Sequence, residues 1–222
     1  MKSRVHSLRV GKPLIQQSSF GQWTTALLKV EKGGEVWAGT HNLFGDEQAD
    51  LKHHGGVDKA ICVYPFVHYD YWNKRLGGHW KPGDFGENLT LEGLDEASVA
   101  IGDVFEIGEA LVQVTQPRSP CWKIARFHGV KELALYLQET GFTGWYLRVL
   151  REGLMKAGCP VVVREATIPR VTIQQANSIA YSGEDPAPLL ECVALSKGWR
   201  EKFEEKQRTG RELDSSTRLY GN

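Results

Sequence analysis

Ala110-Leu111-Val112-Gln113-Val114-Thr115-Gln116-Pro117-Arg118-Ser119-Pro120-Cys121-Trp122-Lys123 is the stretch on which the reading of this chain turns. Its first six residues form an apolar run with β-branched members, which predicts a strand. The segment after Cys121 reads as helix. Between the two, a pair of prolines brackets Arg118 and Ser119, and each steers the residue before it away from the α region. Cys121 is therefore expected at the exit of a stiff strand-to-helix turn, flanked by the cations Arg118 and Lys123. Cationic neighbours favour thiolate over thiol, and the start of a helix adds to that. A thiolate on a rigid loop serves as a nucleophile or a soft-metal ligand. A buried, inert cysteine is the alternative.

Outward from this stretch the pattern continues in short strands. Val99–Ile107, broken at Gly102-Asp103, pairs in expectation with Ala110–Thr115 around a Gly108-Glu109 turn. Upstream, Trp23–Val30 and Glu35–Trp37 read as a hairpin about Glu31-Lys32-Gly33-Gly34. Ala60–Tyr64 reads as a short buried strand, Phe85–Leu91 as a strand after a Pro82-Gly83-Asp84 turn, and Pro160–Arg164 closes the series. Many short strands with glycine turns favour a barrel or a sandwich. Val67–Leu76 and Val130–Thr140, the latter closed by Gly141, read as helices packed over the sheet. Trp145–Leu150 fits helix or strand equally.

Composition shifts near Ala166. Thr172 is placed to cap Ile173–Ala180, with Gln175 as its capping-box partner. Pro186–Leu195 and Arg200–Arg208 read as two further helices, and Arg211–Asn222 as a polar end, loosely ordered unless docked. The expectation is a mainly β, α+β chain with a strand-rich domain over residues 1–165 and a small three-helix domain over 166–222.

Lys+Arg and Asp+Glu both number 27, so no net charge draws this chain to nucleic acid or to a membrane. In the tail, Arg200, Lys202, Lys206, Arg208 and Arg211 alternate with Glu201, Glu204, Glu205 and Glu212, which reads as a solvated helix rather than a nucleic-acid face. No apolar run approaches the roughly 20 residues that span a bilayer. No apolar segment follows the charges of Met1–Ser7, so a signal peptide is not expected. Four cysteines at 62, 121, 159 and 192, without a C-x-x-C, suggest neither a zinc ribbon nor a disulfide framework. A reducing, cytoplasmic setting follows as the expectation.

Two further stretches could bind a ligand. In Lys52-His53-His54-Gly55-Gly56-Val57-Asp58-Lys59-Ala60 the adjacent glycines would let backbone N–H groups cradle an oxyanion, with Lys52 and His54 as added donors. The plainer reading is a tight turn with a capping Asp58. His53, His54 and Cys62 lack the spacing of a zinc site. In Asp84-Phe85-Gly86-Glu87-Asn88-Leu89, Glu87 could act as a general acid and Asn88 could both donate and accept, unless the stretch is a bulge with a surface carboxylate.

Taken in order, HHGGVDKA, FGENLT, IGD and QPRSPCWK resemble the MOSC domain, and VTIQQA through SKGWREKFEEKQRTG resembles the three-helix extension of its YiiM-like members. The resemblance implies a distorted β-barrel that holds molybdenum cofactor (molybdopterin), with Cys121 as protein ligand to the metal. It implies that Arg118, with Ser119, lies near the metal or the pterin phosphate. Lys52, His54, Gly55 and Gly56 would line the site, and Glu87 and Asn88 would contact pterin or substrate. The activity implied is reduction of N-hydroxylated compounds such as 6-N-hydroxylaminopurine, a detoxification of base analogues, with Glu87 or His54 as proton source. Since no flavin, iron–sulfur or NAD fingerprint appears, electrons would come from a separate reductase, expected to be a flavoprotein. The tail would serve homodimer contacts or cover the site. Two rivals remain open at this stage. One is a metal-free thiol enzyme with Cys121 as nucleophile and His54 or His128 as base. The other is a carrier or sensor of the cofactor.

Overall fold

The N-terminal segment escaped the sequence reading because Arg4, His6 and Arg9 interrupt its apolar residues. It nonetheless forms strand β1 (Arg4–Val10), which buries Val5, Leu8 and Val10 and shifts register between Val5 and Ser7. The computed structural model describes residues 2–18, 21–50, 55–166, 168, 170–210 and 215–221. The strands that follow are β2 (Leu14–Ser18), β3 (Gly21–Thr25), β4 (Val30–Glu31), β5 (Val36–Ala38), β6 (Ile61–Pro65), β7 (Leu89–Glu92) and β8 (Val104–Ile107). The set is completed by β9 (Ala110–Pro117), β10 (Trp145–Arg151), β11 (Gly153–Met155) and β12 (Val161–Glu165). Helices α1 (His68–Leu76), α2 (Trp122–His128) and α3 (Leu133–Thr140) lie between strands. Helices α4 (Ile173–Tyr181), α5 (Ala187–Leu190), α6 (Lys197–Thr209) and α7 (Ser216–Tyr220) follow them.

Eight strands form one mixed sheet in the order β12-β8-β9-β10-β6-β7-β1-β4. Only β6 and β7 run parallel, joined through α1, as a parallel pair requires. All of β6 is buried, in line with its continuous apolar sequence. Trp145–Leu150, left open between helix and strand, is most of β10 and pairs with both β6 and β9.

The expected barrel is not closed. On its edge away from β7, β1 meets β4 along Arg9–Val10, while Ser3–Val5 meet the segment that leads into β12. That second contact is one bridge, Arg4–Pro160, with backbone bonds from Val5 N to Cys159 O (2.9 Å), Gly158 N to Val5 O (2.8 Å) and Val161 N to Ser3 O (2.9 Å). Pro160 has no N–H, so the ladder cannot run on through it into β12.

The expected hairpin of Trp23–Val30 with Glu35–Trp37 is not formed. β3 pairs with β2, β4 with β1, and β5 with β11. After Thr25 the chain leaves the sheet to line a cleft, so Ala26 to Lys29 form no strand. Among the described residues the tail carries four helices where three were expected. Pro186–Leu195 shortens to α5, and the C-terminal end docks as α7. Thr172 and Gln175 do form the capping box at the start of α4. Asp58 caps another element, not its own turn: its Oδ2 accepts from Lys197 N at the start of α6 (2.9 Å), and its Oδ1 pairs with Arg148 (2.7 Å).

One apolar cluster fills the interior of the sheet and continues without a break into Ile173, Ala176, Leu189, Trp199 and Phe203 of the tail. A second, aromatic cluster joins Tyr64, Tyr69, Trp72 and Phe85 to α2, α3 and Leu219 of α7. Among the described residues no helix is long and apolar enough to cross a membrane.

Candidate active-site cleft

Two strand exits and one irregular segment converge on a cleft of about 680 Å3 that opens to solvent. β9 and its exit bring Arg118, Ser119 and Cys121, and β6 with β10 bring Cys62 and Tyr146. The segment after β3 contributes Thr25, Leu27 and Lys29. Leu27 packs so closely on Gly86 that a Cβ there would stand 2.5 Å from Leu27 Cδ2, which keeps position 86 a glycine.

The turn read from the two prolines is present and held at its start. Arg118 N donates to Gly144 O (3.0 Å). Gly144 in turn donates from its N to Glu96 Oε1 (2.8 Å), and Glu96 Oε2 lies 2.6 Å from His68 Nε2. Gly144 has φ +69°, and a Cβ on it would meet Val63 O at 2.1 Å, so only glycine lets β10 start this close to β6. Cys121 stands at the N-cap of α2 in extended conformation and is half-buried at the cleft.

Arg118 is the unusual group. Its residue is only 9% exposed, it lines the cleft, and among the described residues no carboxylate pairs with its guanidinium. Burial alone would lower its pKa, but the acidic groups of Cys62, Tyr146, Cys121 and Glu87 around it outweigh that and raise it. It is a fixed cation with donors to spare. Burial pushes the Cys62 thiol up, against the pull of Arg118, and pushes the Tyr146 phenol far up. Tyr146 therefore enters the cleft as a protonated donor. Lys59 is shifted the other way: desolvation lowers its pKa, opposed by Asp58 and Asp50. Lys29 and Asp46 form a buried ion pair on the cleft wall, and Asp46 Oδ1 also accepts from Gly11 N (2.8 Å).

Of the residues named from sequence, Cys121, Arg118, Ser119 and Asn88 line the cleft together. Asn88 is largely committed to backbone, accepting from Cys62 N (3.0 Å) and donating to Arg9 O (3.2 Å). Glu87 is not among the lining residues. It is fully buried, with Oε1 accepting from Tyr69 OH (2.5 Å), Gly83 N (2.6 Å) and Thr90 Oγ1 (2.7 Å), while Oε2 has no partner. Gly55 and Gly56 precede a 3-10 turn, Val57–Lys59, and are not among the lining residues, whereas Lys59 is. Lys52, His53 and His54 lie outside the described residues. His128 is not at the cleft, and its Nε2 is 2.6 Å from Asp84 O.

The sequence reading missed Lys29, Asp46, Cys62 and Tyr146. Only Tyr146 carried a usable signal, through the register that sets it opposite Cys62 and Gln116 once 145–151 is taken as strand. Lys29 sits in an apolar run, Leu27-Leu28-Lys29-Val30, that looked like strand interior.

The MOSC domain profile matches residues 50–162. YflK of Bacillus subtilis (strain 168) is 42% identical over 207 residues, covering 91% of this chain and 94% of its own. YiiM of Escherichia coli (strain K12) is 37% identical over 204 residues, covering 89% and 91%. The crystal structure of Escherichia coli YiiM superposes with a TM-score of 0.79 at 33% identity over all of both chains. A protein named reductase from Gibberella moniliformis (strain M3125 / FGSC 7600) is 30% identical over 181 residues, 79% of this chain but 32% of that one.

Proposed function

The chain belongs to the MOSC domain family, and on that premise we propose that its cleft holds molybdenum cofactor and reduces N-hydroxylated compounds of the 6-N-hydroxylaminopurine type. The observation that carries the proposal is Arg118, a buried cation without a carboxylate partner among the described residues, lining the same cleft as a half-exposed Cys121. A buried guanidinium is costly unless an anion meets it, and a pterin phosphate or dithiolene is such an anion. Among the described residues no three His, Cys, Asp or Glu side chains cluster to hold a bare metal ion. In this reading the metal comes with its own ligands, to which the protein adds one soft sulfur.

When bound, the cofactor supplies the two electrons that convert an N-hydroxyl group to an amine and water. The chain's own residues bind, orient and deliver protons. Cys121 is the ligand to the metal, and Arg118 with Ser119 takes the anionic part of the pterin. Tyr146, at 7% exposure and lining the cleft, is assigned the role of hydrogen-bond donor to the bound group. Proton delivery to the departing oxygen is assigned to Lys59, whose ammonium is weakened by burial. It takes the place that the sequence reading gave Glu87, whose carboxyl lies off the cleft. His54 retains its proposed share in that step. Electrons come from a separate reductase of the flavoprotein class, and the name of the Gibberella moniliformis relative supports a reductive reaction.

The test is elemental mass spectrometry on protein made in a cofactor-competent host, wild type beside Cys121→Ser. Molybdenum near one per chain in the wild type and its loss in the variant is the expected result, followed by hydroxylaminopurine reduction with a flavin reductase supplied. Equal, negligible molybdenum in both proteins would overturn the assignment.

A further inference from the structure

The C-terminal helix α7 is short and late in the chain, yet it touches the residues on both sides of Cys121. Arg218 donates from Nη1 to the carbonyl of Pro120, the residue before Cys121. Its Nη2 donates to Gln138 Oε1 of α3 (2.5 Å) and to Ser215 Oγ (2.9 Å), and its guanidinium lies 5.4 Å from the Tyr181 ring of α4. One planar fork therefore ties three helices to a single loop carbonyl. On the other side of Cys121, Gly221 packs on Trp122 so tightly that a Cβ would stand 2.7 Å from its Cγ. Leu219, 6% exposed, anchors the helix in the aromatic cluster between these two contacts.

The turn is also held at its two ends, where Arg118 N meets Gly144 O (3.0 Å) and Ile124 N meets Cys121 O (3.1 Å). Among the described residues no hydrogen bond holds the Cys121 side chain, which does not cap α2. Between those ends the tie at Pro120 O acts on the residue next to Cys121, so it bears on where the sulfur stands.

We propose that Arg218 is a positioning residue for Cys121 and that α7 is part of the site. The importance given to Cys121 rests on the cofactor reading above; the positioning itself does not. The ligand group must be held within a fraction of an ångström for a single bond to a bound centre, and loops achieve this only when neighbouring groups lock them.

The experiment uses the full-length, metal-free protein and follows iodoacetamide labelling of each cysteine by peptide mass spectrometry. Arg218→Ala is expected to label Cys121 at least threefold faster, with buried Cys62 and Cys192 unchanged, and Arg218→Lys, which keeps a donor for Pro120 O but not the fork, to label at a rate between the two. A general loosening of the fold would instead raise all the buried cysteines together. An unchanged Cys121 rate in folded Arg218→Ala overturns the proposal. If that variant fails to fold, the wild type decides in sub-denaturing urea. Cys121 labelling and hydrogen exchange at the Leu219 amide should then rise with the same urea dependence. Faster labelling while Leu219 stays protected overturns the proposal. Because no metal is read, failure of the cofactor assignment by elemental analysis leaves this result standing, and the reverse also holds.

Discussion

Arg118 shows how one side chain can cost stability and still be kept. Among the described residues no carboxylate pairs with it directly, and what offsets its desolvation is the field of the acidic groups around it, Glu87 among them. Even a buried ion pair can often be replaced by apolar residues of similar volume at no loss of stability, and a cation without a direct partner has less to lose. Glu87, which feels Arg118 at a distance, keeps its three donors without it. Arg118→Met is therefore expected to melt at or above the wild-type temperature by calorimetry while holding at least tenfold less molybdenum by elemental analysis. A lower melting temperature with full metal content would make Arg118 a structural residue. At this scale the site was legible where chemistry and backbone signal coincided. Cys121 and Arg118 were found because prolines fix the turn that presents them. Glu87 and Asn88 were named together, but which of two neighbours faces a cleft depends on how the turn before β7 packs against the rest of the chain. That is a tertiary fact which no spacing encodes.

Between strands, ion pairs pin elements whose apolar pattern is weak. β1 is such an element, and Glu92 at the end of β7 fastens it, with Oε2 2.5 Å from Arg4 Nε and Oε1 2.6 Å from His6 Nδ1. These hydrogen bonds, first from Arg4 and then from His6, hold the Glu92 carboxyl down at about 2 against an ordinary 4.5. A depressed folded pKa means that the folded state favours the carboxylate. The stabilisation is thus complete above pH 4.5 and is lost as the pH falls from there through about 2. Denaturant unfolding of wild type and Glu92→Gln at several pH values should show a difference that is constant above that window and shrinks within it. The lowered carboxyls of Glu106, Glu152 and Glu184 are common to both proteins and cancel in the comparison. A difference that does not change with pH would mean that the pair is fully screened. The same weakness of pattern explains why β1 was missed and a hairpin was drawn through residues 26–29. Helix caps, by contrast, are local, and Thr172 with Gln175 was read correctly from four residues.

Across the whole molecule the question is whether residues 166–222 are a separate domain, as the shift in composition suggested. Their apolar side chains belong to the same cluster as the sheet interior. Backbone bonds also cross the boundary, from Ile101 N to Val171 O (2.9 Å), Ile173 N to Val99 O (2.8 Å) and Ser196 N to Thr115 O (3.2 Å). Asp58, beside the cleft, caps α6. A separate domain would carry its own core and few crossing contacts. We therefore expect one cooperative unit. Phe203, fully buried in α6, should cost about 3–5 kcal/mol when changed to alanine, since a cavity in a shared core weakens the whole. Helix content and tryptophan fluorescence of Phe203→Ala should then lose their signals at one midpoint, lower than in the wild type. The stricter test is a chain cut after residue 165, which would bare the inner residues that Ile173, Ala176 and Leu189 cover and is expected to show no cooperative transition. A fragment that melts cooperatively near the wild-type temperature would make the tail an accessory. It would also confine α7's grip on the Cys121 loop to a local contact rather than a consequence of how the whole chain closes on its cleft.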